Sequence, residues 1–372
     1  MIYLKEANLE DVQKEYEFIT QLPEDENGFT NPNCGCSFEE FTEKILPGYI
    51  DHSKGLNLPA GHVPGTQYFL WDEDEIVGLF RIRHHLCEAL ANGAGHIGYG
   101  IRKEFRGRGY ANEGLRLTIE KAWSIIPEDE IYMSVHKDNP ASLKTQLKNG
   151  AYIHHEDEKE YFTRVKRPKY IALTFDDGPS DTTTRQVLSK LKKHGVVGSF
   201  FLIGQNMTPE REEILREEIA MGCDLQNHSL THSDMREMSE ETIKAEIEET
   251  TGRIVSLTGK EPEFFRPPYI YVSDRMFDSI PLIFICGIAS DDWIPDTDAA
   301  HRARKVIEGA RDGAVVLLHD LEGNDATVEA LDIIIPELKK QGYQFVTITE
   351  LFQRAGITAE NAKREVYTYT DQ

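Results

Sequence analysis

The sequence lacks any run of 18 consecutive apolar residues, so nothing in it reads as a transmembrane helix. Its first residues, MIYLKEANLEDVQKEYEF, are charged from Lys5 onward, where a secretory leader would be apolar. Cysteine is scarce: Cys34, Cys36, Cys87, Cys223 and Cys286 form an odd set without a CxxC pair. That argues against a disulfide framework and for reduced thiols in a cytoplasmic protein. No second cysteine pair lies near Cys34 and Cys36 to complete a metal site. Basic charge is also short, with 41 Lys and Arg against 64 Asp and Glu for a net of −23. A nucleic-acid backbone or an anionic membrane needs a basic surface, so neither is expected as a partner. There is no internal repeat and no low-complexity tract.

What is present suggests two α/β domains, since 372 residues exceed one comfortable core. IYLKEA reads as a strand, TQYFLWD and EIVGLFRIRHH as a hairpin around Glu73-Asp74-Glu75, and GHIGYGI as a further strand. A helix is expected over 109–123, a strand at IYMSVH, and a helix at ASLKTQLKNG with a glycine stop. Residues 22–65 are polar and rich in Gly and Pro and yield no assignment. The pattern changes at Lys166-Arg167-Pro168-Lys169, which places domains at 1–166 and 167–372. Beyond it, apolar strands (IALTF, GSFFLIG, CDLQN, FF, LIFICGIA, AVVLLH, QFVTI) alternate with amphipathic helices. Repeated βα units with wholly apolar strands indicate a parallel sheet covered by helices, expected as a barrel.

Chemistry in such a barrel belongs at the C-terminal strand ends, and the polar residues sit there. IALTF runs into Asp176-Asp177, CDLQN into His228-Ser229-Leu230-Thr231-His232, FF into Arg266-Pro267-Pro268-Tyr269, LIFICGIA into Ser290-Asp291-Asp292-Trp293, and AVVLL into His319-Asp320. Two histidines four residues apart, if locally helical, face one side and can grip a divalent ion, with a carboxylate as third ligand. Such an ion leaves a position for water, lowers its pKa and polarises a carbonyl, which suits hydrolysis of an amide or ester. A base and an acid must then move protons.

TFDDGP (174–179), HSLTH (228–232), RPPY (266–269), DDW (291–293) and LLHD (317–320) together resemble the NodB-homology polysaccharide deacetylases, carbohydrate esterase family 4, over about 168–350. The resemblance implies a distorted (β/α) barrel and N-acetylated sugars as substrates: chito-oligosaccharides, peptidoglycan fragments or related glycans. It implies Asp177, His228 and His232 as ligands of a divalent metal, zinc first, with cobalt, manganese or nickel as alternatives. Asp176 would be the general base and His319 the general acid. Arg266 would orient Asp176, Asp292 would tune His319, and the backbone N–H of Tyr269 would complete an oxyanion hole. Pro179, Pro267, Trp293 and Leu317 would wall the substrate pocket. Without a leader, a soluble intracellular substrate fits better than an external polymer.

In the first domain, Arg106-Gly107-Arg108-Gly109-Tyr110-Ala111 stands between a strand and a helix. Glycines there let backbone N–H groups face a pyrophosphate, and the helix dipole favours negative charge. With the following strand and Asn139-Pro140-Ala141-Ser142, this resembles the GNAT-family acyl-CoA N-acetyltransferases over about 1–166. The resemblance implies a mixed sheet with helices and acetyl-CoA as cofactor, its pyrophosphate held by Arg106 through Ala111 and its pantetheine near Asn139. The tyrosine acid of many members is replaced by Gln146, and Glu104 and His96 are candidate bases. An acetyltransferase fused to a deacetylase would run a futile cycle on one amine, so action on different groups is expected. A domain that only senses acyl-CoA is the alternative.

Overall fold

Strands covered on both faces lose the simple alternation of buried and exposed residues, and the N-terminal half shows this directly. In Gly65–Asp72 and Glu75–Arg83 nearly every interior residue is buried. Tyr68, Leu70, Phe80 and Ile82 enter one apolar cluster, while Phe69, Trp71 and Leu79 enter another with Phe18, Phe41 and Leu46. Adjacent residues therefore serve opposite cores, as the period of two requires. The computed structural model describes residues 1–26 and 28–372. It divides into two units, Met1–Arg167 and Pro168–Gln372.

In the first unit, Ile2–Glu6 (β1), Gly65–Asp72 (β2), Glu75–Arg83 (β3) and Ile97–Ile101 (β4) form an antiparallel sheet in that order. Val12–Gln21 (α1) and Leu46–Ser53 (α2) supply the buried Phe18 and Leu46 on one face. Tyr110–Ala122 (α3) supplies Leu115 and Ala122 on the other. A second sheet follows from Glu130–His136 (β5), Tyr152–Glu156 (β6) and Glu160–Lys166 (β7), ordered β5-β7-β6. Pro140–Lys148 (α4) comes directly after β5. The unassigned stretch 22–65 thus contributes α2 and its packing against the sheet.

In the second unit, strands Lys169–Asp176 (β8), Ser199–Leu202 (β9), Asp224–Asn227 (β10), Phe264–Phe265 (β11), Ile283–Phe284 (β12), Ile288–Ala289 (β13), Ala314–His319 (β14) and Tyr343–Phe345 (β15) make one eight-stranded sheet. Its order is β12-β11-β10-β9-β8-β14-β13, with β15 also on β8, and every pairing is parallel. This curled sheet is the distorted (β/α) barrel expected from the alternation. Helices Thr183–His194 (α5), Glu212–Ala220 (α6), Glu240–Thr258 (α7), Ala299–Gly309 (α8) and Asp325–Lys340 (α9) cover it.

One element differs from expectation. LIFICGIA, read as a single strand, is split into β12 and β13, because Gly287 sits at φ 139°. Its missing Cβ would lie 3.0 Å from Leu317 Cβ, so β14 packs too close for a side chain. The C-terminal residues run past the same region: Tyr367 bridges Ile285 and Tyr369 bridges Ala314.

Candidate active site

Parallel register brings the chemistry together. Asp176 and His319 are the last residues of β8 and β14 and are direct cross-strand partners. Adjacent strands lie about 4.8 Å apart, so an acid and an imidazole stand side by side at the rim. Beyond Asp176 the chain turns sharply, with Asp177 at φ 75° and its carbonyl accepting from Asn206 Nδ2 at 2.7 Å. The turn packs on Asp320, which is wholly buried; a Cβ at Gly178 would fall 2.6 Å from its Oδ2. Burial, the Thr184 hydroxyl and the charges of Asp177 and Asp176 act on Asp320, and the net effect is a carboxyl pushed up to about 7.

HSLTH follows β10 as a loop and not as the local helix its spacing would allow. Ser229 (φ 65°) and His232 (φ 57°) take left-handed backbone that no helix accommodates. Glu246 of α7 holds the loop, accepting from the Leu230 and Thr231 N–H groups at 2.9 Å each and from the Thr231 hydroxyl at 2.8 Å. His228 Nδ1 lies 2.6 Å from the Arg266 carbonyl, which can only accept. Its proton is therefore on Nδ1, and Nε2 presents a lone pair to the site.

Asp177 Oδ1 stands 3.4 Å from the Nε2 atoms of both His228 and His232. It is buried and has no hydrogen-bond partner. A carboxylate oxygen facing two ring nitrogens without a donor is costly in itself, and a cation removes the cost. Two donors bound to one tetrahedral ion at 2.0–2.1 Å sit about 3.4 Å apart, so the spacing fits a zinc-like ion. Among the described residues, Asp177, His228 and His232 are the one such cluster.

Two further pairs flank it. Arg266 is fully buried; its Nη1 reaches Asp176 Oδ1 at 2.5 Å, its Nη2 the Cys286 carbonyl at 2.5 Å, and its plane lies over Phe201. His319 Nδ1 is 2.8 Å from Asp292 Oδ1, while Asp292 Oδ2 accepts from the His319 N–H at 2.7 Å and from Thr327 Oγ1 at 2.9 Å. Burial alone would lower the His319 pKa; the bond to Asp292 and the charges of Asp292, Asp176 and Asp177 outweigh it and raise it to about 9. Pro179 lines a small pocket with Asp177 and His232, Pro267 and Leu317 are buried, and Tyr269 (φ 59°) and Trp293 are exposed.

In the first unit, a cleft of about 690 Å³ is lined by Arg106, Gly107, Gly109, Tyr110, Ala111 and Asn139. Gly107 and Gly109 lie at φ 77° and 90°, with open space where a Cβ would stand. The Asn112 and Glu113 amides donate to the Gly109 carbonyl, and the amides of Tyr110 and Ala111 ahead of them have no intrahelical partner, which makes this end fit for an anion. Arg108 is outside the lining and lies over the Phe105 ring. Asn139 caps α4, accepting from Ser142 N–H at 3.1 Å. The candidate bases are elsewhere: His96 is buried, accepting from Tyr132 N–H and facing Glu128, and Glu104 is exposed against Arg102. Gln146 is buried and accepts from Thr163 Oγ1 at 2.7 Å.

Residues 163–280 match the family model "Polysaccharide deacetylase", and residues 52–152 match "Acetyltransferase (GNAT) domain". A bifunctional xylanase/deacetylase of Pseudobutyrivibrio xylanivorans is 47% identical over 195 residues, 52% of this chain and 32% of that protein. A peptidoglycan-N-acetylglucosamine deacetylase of Bacillus cereus is 35% identical over 194 residues, 50% of this chain and 89% of that protein. The chain belongs to the polysaccharide deacetylase family. It also contains a GNAT acetyltransferase domain. A family 4 acetyl xylan esterase from Clostridium thermocellum, solved with a cobalt ion, shares 42% identity and a TM-score of 0.52, covering 54% of this chain and 98% of that one. The chain spans about a third of the xylanase/deacetylase's length.

The deacetylase motifs hold twelve of the residues singled out from sequence, but three supports were given no role there. Glu246 lies on the buried face of α7 with Ile243, Ile247 and Thr250, where an acid is out of place. That anomaly was available in the sequence. Asn206 acts through a contact between distant segments and leaves no local signal, while Asp320 stands in the LLHD motif but acts through its contacts with the distant 178–184 segment.

Proposed function

We propose that the deacetylase domain removes acetyl groups from an N-acetylated sugar with the help of a divalent cation held by Asp177, His228 and His232, zinc being first choice over cobalt, manganese or nickel. When bound, the cation supplies a water of lowered pKa and polarises the acyl oxygen. Asp176, oriented by Arg266, takes a proton on Oδ2. His319 holds a proton at Nε2 and delivers it to the departing amine, with Asp292 fixing its other nitrogen. The N–H of Tyr269 assists the developing oxyanion, and Pro179, Pro267, Trp293 and Leu317 border the acetyl pocket. The observation that supports this most is the buried, unbonded Asp177 Oδ1 at 3.4 Å from two imidazole nitrogens, flanked by an anchored base and acid.

The GNAT domain is proposed to bind acetyl-CoA in its cleft, phosphates at Arg106 through Ala111, and to acetylate an amine other than the one the deacetylase releases. A short intracellular glycan suits both halves. Two relatives are named for xylan or its acetyl ester, so an ester substrate is the second reading. Metal analysis with acetate release measured on N-acetylated chito-oligosaccharides, peptidoglycan fragments and acetylated xylan tests both: release from xylan alone rejects the amide reading. Acetyl-CoA binding without thiol release across an amine panel would make the GNAT domain a sensor, a reading favoured by the buried Gln146 in place of a tyrosine.

A further inference from the structure

The GNAT cleft carries a charge balance opposite to that of the chain. Acidic residues outnumber basic ones 64 to 41 overall. The cleft lining has Arg81, Arg83, Arg106, Lys144 and Lys148 against one carboxylate, Glu160, and Glu160 faces His136 at 3.3 Å. Arg106 and its turn answer to the phosphates of acetyl-CoA. Arg81 and Arg83 do not. They project from one face of β3, two residues apart. Arg81 lies opposite Gly98 on β4, and the Arg83 N–H donates to the His96 carbonyl. At 3.4 Å per residue they stand about 10 and about 17 Å back along β4 from Ile101, after which the phosphate turn begins.

Among the described residues neither arginine has a carboxylate partner. The Gln67 amide oxygen, turned toward Arg81, accepts from its Nη2 and Nε at 2.9 and 3.0 Å, and Arg83 Nη1 donates to the Gly95 carbonyl at 3.1 Å. Burial pulls both guanidinium pKa values down, and the charge of Arg81 adds to the effect on Arg83. Two neighbouring cations thus share a cleft wall, each with N–H groups beyond these bonds that an anion could meet.

We infer that Arg81 and Arg83 form the anion subsite of the acyl acceptor, so that the amine acetylated by this domain bears a carboxylate or a phosphate. The inference rests on the acetyltransferase reading. In the reaction the thioester C–S bond breaks, the new C–N bond forms, and the proton lost by the amine ends on the thiol of CoA.

Glucosamine, muramic acid and glucosamine 6-phosphate share an amine and differ in charge, and serve as probes by calorimetry on the full chain with CoA present. At least one anionic probe should bind about tenfold or more tighter than glucosamine, and the carboxylate and phosphate arms tell the two sources apart. Arg81→Gln and Arg83→Gln should remove that preference while leaving acetyl-CoA affinity and the melting temperature unchanged. Equal binding of all three probes, or a preference that survives both substitutions, overturns the subsite. Anion binding through the arginines without acetyl-CoA binding or thiol release would instead retire the acetyltransferase reading and leave the subsite standing.

Discussion

Replacing Asp292 by Asn removes one charge and little volume from a buried pair, so its effect can be worked from the structure. Asp292 is 4% exposed and meets His319 through both carboxylate oxygens. The imidazole is raised from 6.5 to about 9 by that bond and by neighbouring carboxylates, against burial. The difference corresponds to about 3 kcal/mol. Without the charge, only Asp176 and Asp177 oppose burial and the value falls toward the ordinary 6.5. At pH 7.5 the protonated fraction then drops from about 97% to about 10%, a tenfold loss of acid. The assay is acetate release as kcat/KM from pH 5 to 10. Wild type should keep its activity up to an alkaline limb at or below about 9, whereas Asp292→Asn should lose its own limb below 7 and recover partly at pH 6. Stability carries the same sign: a raised imidazole pKa stabilises fully below pH 6.5, and the contribution fades as pH rises through about 9, so the variant's stability should be flatter over that window. A uniform loss of activity with an unmoved alkaline limb would refute the reasoning.

Asp176→Asn should lower acetate release by about 10²–10⁴-fold with cation content unchanged by elemental analysis; full activity would sink its role as base. Chelation should abolish deacetylation and spare acetyl-CoA binding, with zinc or cobalt restoring turnover; hydrolysis by demonstrably metal-free protein contradicts the ligand assignment. Arg266→Met leaves the buried Asp176 without its cation, so the second unit should lose about 3–5 kcal/mol in denaturant titration; an unchanged midpoint would show that the pair does not stabilise the unit.

The barrel and its rim were legible because wholly apolar strands and their polar ends are properties of composition along a strand. The loop at HSLTH was not. A spacing of four suits a helix, but Glu246 of a later helix offers its carboxylate to two loop amides and a hydroxyl, and this outweighs local propensity. Likewise LIFICGIA is apolar enough for one strand, and only the approach of Leu317 to Gly287 breaks it. In the first unit the glycine turn was readable from its residues, while His96 and Glu104, plausible by type, are excluded from the cleft by partners distant in sequence or by exposure.

The adjacent Asp176 and Asp177 show why residue identity alone stops short of mechanism. Side by side in a β-strand, they would point to opposite faces, and one of them would be lost to the site. Asp176 ends the strand with its carboxylate on Arg266, at 2.5 Å. Asp177 enters left-handed backbone at φ 75°, its carbonyl tied to Asn206, and its Oδ1 comes to 3.4 Å from each histidine. Of the nine non-glycine residues with positive φ among those described, Asp177, Ser229, His232, Tyr269, Ile270 and Asp291 all fall in or beside the five motifs. Such backbone costs about 1–3 kcal/mol per residue and persists only where surrounding contacts impose it. The repulsion between the two carboxylates is thus relieved by a turn that aims one at a guanidinium and the other at a cation site, and it is the contacts of Asn206, Glu246 and Asp320 that hold that turn and its neighbours in place.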